Sequence, residues 1–89
     1  MPTIDEGLTR VAVIAELVGV TELAREAGLP LSTVRSFRDR GWAAKTLPAC
    51  DALIAAAARL EADPQRIRRL AHARAERLQE VERARARST

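Results

Sequence analysis

Apolar residues recur at intervals of three and four over the first eighteen positions of the chain. Leu8, Val11, Ala12, Ala15 and Val18 form one stripe, and Ile14 and Leu17 widen it. That spacing predicts an amphipathic helix from about Asp5 to Val18, with Thr3 or Asp5 as its cap and Gly19 as its end. A shorter helix follows, capped by Thr21, with Glu22 in the first turn where the positive end of the helix dipole favours a carboxylate. A third helix starts near Leu31 or Ser32 and ends at Arg40-Gly41. Pro30 is tolerated just before it or in its first turn, because the amide it lacks would be unpaired there. Residues 41–47 read as a loop containing Trp42, Lys45 and Thr46. Thr46-Leu47-Pro48 then opens a fourth helix, whose inward face is traced by Cys50, Leu53, Ile54, Ala57 and Leu60/Glu61. At Asp63-Pro64 the chain breaks and restarts, Asp63 as N-cap and Pro64 in the first helical position, and a final helix of about 20 residues follows. Nothing alternates with the period of a strand. The expected fold is all-α, a five-helix bundle with a long C-terminal helix. Residues 1–62 form the bundle and 63–89 the last helix with a basic tail.

The segment from Thr21 to Phe37 carries the most information. Ala24 is small enough to let a second helix cross closely. Gly28, four residues later, suits a left-handed bend. Val34 and Phe37, three apart, project from one side of the next helix back onto the first. Leu23, Ala27 and Leu29 complete an apolar wedge between the two helices. This order of small, turning, β-branched and apolar residues resembles the helix-turn-helix of the phage repressor and Cro class, including regulators of the xenobiotic-response-element type. The resemblance runs from about Asp5 to Leu60 and leaves most of the last helix outside it. It implies a repressor-like bundle whose second motif helix enters the DNA major groove.

With Val34 and Phe37 inward, the step of about 100° per residue turns Ser32, Ser36 and Asp39 outward, with Thr33, Arg35 and Arg40 on the flanks. Arg35 is the strongest candidate for base reading, because its fork matches O6 and N7 of guanine. Ser32, Thr33 and Ser36 are short enough for close approach to bases or phosphates, and Asp39 stands four residues after Arg35, within reach of a surface pair. Repressor-like proteins often carry Gln near the start of this helix. Here Pro30-Leu31 stands in its place, which moves discrimination toward Arg35 and the thymine methyl. The resemblance also implies that the first motif helix points its N-terminus, with Thr21, at a phosphate. Arg38, Arg40 and Lys45 extend the positive surface, and Trp42 either lines the core or lies against the DNA backbone.

Charge supports a polyanionic partner. The chain of 89 residues has a net charge of +3, yet residues 1–30 hold two basic against five acidic side chains, and residues 64–89 hold eight arginines against three glutamates. Basic charge gathered at one end suits nucleic acid. Arginine supplies 14 of the 15 basic residues, a bias that genome composition also produces.

Other chemistry has little to stand on. His72 is the only histidine and lies in plain exposed helix, and Cys50, the only cysteine, reads as a small buried hydrophobe. One Cys and one His make no zinc site. Gly41-Trp-Ala-Ala-Lys-Thr46 lacks the glycine before Lys45 that a phosphate loop needs. No enzyme activity and no cofactor are expected. The acidic start does not suit a signal peptide, and the uncharged run Ala52–Ala58 is far too short for a membrane span. The expectation is a cytoplasmic, nucleoid-associated protein.

In the last helix, Ile67, Leu70, Ala71, Leu78 and Val81 share a stripe interrupted by Arg74. Ile67 and Leu70 are expected to dock on the bundle. Leu78 and Val81 lie farther out and are assigned to a dimer contact, the alternatives being a solvated tail or a surface for another protein. Arg83, Arg85 and Arg87 lie beyond them, within reach of phosphates. These features combine into a sequence-specific, homodimeric transcriptional regulator of prophage or mobile-element type, bound to double-stranded DNA. Two other readings use the same residues: an antitoxin or polymerase-binding protein that grips its partner with the last helix, and an architectural protein that coats DNA without reading it.

Overall fold

Five helices succeed one another in the computed structural model, which describes residues 4–43 and 47–88: α1 (Ile4–Val18), α2 (Val20–Ala27), α3 (Leu31–Asp39), α4 (Leu47–Glu61) and α5 (Pro64–Ser88). No strand occurs among the described residues, and the fold is all-α. Helix α4 packs against α1, α2 and α5, and α2 packs in turn against α1 and α3. The long dimension of 49 Å exceeds the other two, 28 and 19 Å. Helix α5, with 25 residues, reaches about 38 Å at 1.5 Å per residue, more than the bundle alone can flank.

The core is apolar throughout. Val11, Val18, Leu23, Val34, Phe37, Cys50, Leu53 and Leu60 are its largest fully buried side chains, and no polar or charged residue is buried among the described ones. Each large apolar side chain so buried stabilises the fold by roughly 1.5–3 kcal/mol. Three positions differ from the expected faces. Leu17 is 44% exposed instead of widening the α1 stripe. The buried arc of α1 is centred on Val11 and Val18, and Leu17 lies about 100° round from it, beside the exposed Val13. Ala56 is buried on α4, whereas Glu61 turns outward to meet Arg10 at 3.9 Å.

Gly19 acts at two helix ends. Its N–H donates to the Ala15 carbonyl at the end of α1, and its own carbonyl accepts from Leu23 in α2. The backbone there is at φ 90°, ψ 156°, and no side chain caps α2. The N-cap is therefore Gly19 and not Thr21. A positive φ open to glycine turns the chain two residues earlier than a Thr cap would, which lets Val20 pack against the core while Thr21 stays exposed in the first turn.

Gly28 ends α2 as the sequence predicts. It is left-handed at φ 68°, its N–H reaches the Arg25 carbonyl, and Leu29 N–H reaches the Ala24 carbonyl. That paired arrangement is a Schellman closure. A Cβ at Gly28 would meet nothing within 4 Å, so the backbone alone sets the cost of substitution. Gly28→Val is expected to lose about 1–2 kcal/mol of stability, and Gly28→Asn clearly less. Thermal melting checks this; a Val variant that melts with the wild type would move the turn elsewhere.

At the other break, Asp63 Oδ1 accepts from the Arg66 N–H at 3.1 Å and Pro64 opens α5, so the predicted cap is present. Ile67 and Leu70 pack against the core as expected. Arg74, the interruption in the stripe, is half-buried and donates from Nη1 to the Glu16 carbonyl at 3.1 Å, tying α5 to the last turn of α1. Beyond it α5 is exposed and stays helical through Arg83, Arg85 and Arg87.

Candidate nucleic-acid interface

Helices α2 and α3 pack against each other across the three-residue turn Gly28–Pro30. Helix α3 begins at Leu31 because Pro30, at φ −59° and ψ 141°, is extended and sits at its N-cap. Val34 and Phe37 are 0% and 1% exposed, which anchors one side of α3 and leaves the other to solvent. Ser32, Arg35 and Asp39 are exposed on that outer side, and Arg38 and Arg40 are exposed toward its C-terminal end. Thr33 and Ser36 are half-buried, since their short side chains do not clear the flanks of the helix. Of the five expected base-reading positions, three therefore stand fully outward and two are partly recessed.

The expected surface pair between Arg35 and Asp39 does not form. Arg38 Nε and Nη2 both lie 3.3 Å from Asp39 Oδ1 instead. A cation placed four residues ahead of a carboxylate has the weaker polarity for a helical pair, running against the dipole. Arg35 is left with no hydrogen-bond or ion-pair partner among the described residues. Its guanidinium is thus available to a ligand at no cost in broken contacts.

The other expected positions spread around this face. Thr21 is exposed in the first turn of α2 and lines a groove together with Arg38, Trp42 and Leu78. Trp42 is half-buried and packs partly against the core, with φ 62° and its backbone N–H donating to the Phe37 carbonyl at 2.8 Å. Lys45 and Thr46 lie outside the described residues. Leu78 and Val81 are 50% and 47% exposed, among the few large apolar side chains that the bundle leaves uncovered. His72 is exposed beside Glu76 at 3.1 Å, and Cys50 is buried as a free thiol.

One cluster escaped the sequence reading. Glu26, near the end of α2, accepts from Arg59 Nε at 3.0 Å and from Arg66 Nη2 at 2.6 Å, while Arg59 Nη2 also reaches the Glu26 carbonyl at 2.7 Å. The hydrogen bond from Arg66, then that from Arg59, holds the Glu26 carboxyl below its ordinary value. A lowered folded-state value means that this contribution to stability is present above the ordinary carboxylate range and is lost as pH falls through the depressed one. The three side chains tie α2 to both α4 and α5, which fixes the frame on which α3 is presented. Their separations of 33 and 40 residues leave no local pattern to find.

Against family models, curated proteins and solved structures, the chain finds no match in any of the three comparisons. None of its described helices is long and apolar enough to cross a membrane.

Proposed function

We propose that this protein is a sequence-specific DNA-binding transcriptional regulator of prophage or mobile-element type. Helix α3 enters the major groove, Arg35 reads a guanine edge, and Ser32 with Asp39 contacts neighbouring base edges, Thr33 and Ser36 approaching from the sides. Thr21, Arg38, Arg40 and Lys45 hold phosphates. A single short helix reads only a few base pairs, so two copies joined through Leu78 and Val81 engage a two-fold site. No cofactor enters this reading, and its place of action is the nucleoid in the cytoplasm.

The observation that carries the proposal is the outer face of α3: a helix anchored by two fully buried side chains, presenting an exposed arginine that no described residue engages. Arg35 stands clear while its neighbour Arg38 takes Asp39.

Arg35→Ala is expected to cost about 1–3 kcal/mol on the preferred duplex and to relax preference at one base pair, with little loss on unrelated sequence. Titration of specific and scrambled duplexes measures both. An equal loss on the two would make Arg35 a phosphate contact and remove the base-reading role.

A further inference from the structure

A groove of about 260 Å³ runs between the end of α1, the start of α2, the last turn of α3 and the middle of α5. Three arginines from two helices line it: Arg38 on α3, and Arg74 and Arg77 on α5. Among the described residues Glu16 is the single carboxylate on its walls, and Trp42 supplies a flat apolar side. The arginines differ in what they already do. Arg74 is engaged with the Glu16 carbonyl and holds α5 in place. Arg38 has only the long, exposed contacts to Asp39. Arg77 is exposed and has no hydrogen bond or ion pair among the described residues. Arg38 and Arg77 give the cleft an excess of positive charge over the Glu16 carboxylate, which favours a bound anion.

We propose that this groove takes the sugar-phosphate backbone of the same duplex that α3 reads. Arg77 and Arg38 are its phosphate contacts, and Arg74 positions α5 for the purpose. The inference rests on the DNA-binding reading above and extends it to α5, which the repressor resemblance largely leaves out. The link is Arg38. It lies three residues after Arg35, about 4.5 Å farther along the α3 axis, so one helix carries a base-reading side chain and forms a wall of the groove. A strand entering the groove therefore runs beside the duplex edge that α3 faces. The arginine enrichment of α5 then has a use at a defined place, and its exposed apolar pair Leu78–Val81 begins at the rim, since Leu78 also lines the cleft.

The test is the salt dependence of binding by the full chain to a fluorescent duplex of random sequence. Arg77→Ala and Arg38→Ala are each expected to weaken binding alike on every sequence and to reduce the slope of log K against log salt by about 1. Arg77→Lys keeps the charge and should restore the wild-type slope. Arg69→Ala, an exposed arginine on α5 outside the groove, should leave it unchanged. Circular dichroism verifies that each variant is folded. If Arg77→Ala binds with the affinity and slope of the wild type while Arg35→Ala is impaired, the groove proposal is wrong and the DNA reading stands. If the wild type retains no duplex even at low salt, the DNA reading falls and takes this inference with it.

Discussion

Phe37→Ala is expected to remove about 3–5 kcal/mol of stability, a large share of what a domain of this size possesses. Phe37 is the only phenylalanine in the chain and is 1% exposed, wedged where α3 meets α2 and the rest of the core. Its backbone carbonyl also accepts from Arg40 and Trp42, so the seat of the side chain and the closure of α3 depend on the same residue. Truncation leaves a cavity that Val34, already fully buried, cannot fill. Urea unfolding followed by circular dichroism gives the change directly. A loss below about 1 kcal/mol would mean that α3 is not seated on its Val34–Phe37 side, and the outward placement of Arg35 would go with it.

The second large effect concerns association. Replacing Leu78 and Val81 together with Asp is expected to convert a dimer to a monomer, because like charges would meet across a two-fold contact. The bundle does not depend on either side chain, as both are about half exposed, so helicity and melting should change little. Affinity for a full two-fold site should fall toward the non-specific level, roughly 10³-fold or more, while weak, salt-sensitive binding to any duplex persists. Sedimentation of wild type and variant decides it. A variant that still dimerises would move the interface to another surface, with Val13 and Leu17 on α1 the next exposed apolar pair. A wild type that is monomeric yet binds duplex normally would reassign Leu78 and Val81 to a different protein partner.

Much of the architecture was legible from local chemistry. Gly28, Arg40-Gly41 and Asp63-Pro64 stop and start helices for reasons contained in a few neighbouring residues, and the observed boundaries fall where those residues place them. Periodicity likewise marks Val34, Phe37, Cys50, Leu53 and Leu60 as core. What was not legible depends on rotation and on distance along the chain. Thr21 has the right chemistry for a cap, but Gly19 reaches a backbone conformation that Thr cannot. Leu17 is as apolar as its buried neighbours and sits on the wrong side of the helix. The Glu26–Arg59–Arg66 cluster and the meeting of Arg38 with Arg77 in one groove arise only when helices far apart in sequence are packed together. The exposed serine and arginine positions on α3 follow from the inward pair, whereas the pairing of Asp39 with Arg38 instead of Arg35 is set by side-chain geometry.

The central claim is that α3 reads DNA sequence. Repeated selection of bound duplexes from a fully random pool, followed by competition with excess unselected DNA, addresses it with no assumption about the target. The account predicts one enriched sequence with two-fold symmetry, bound roughly 10³-fold or more tighter than the pool and dependent on Arg35. A pool that binds without enriching would make the protein a coat for DNA of any sequence, and a pool that is not retained at all would remove DNA as its partner.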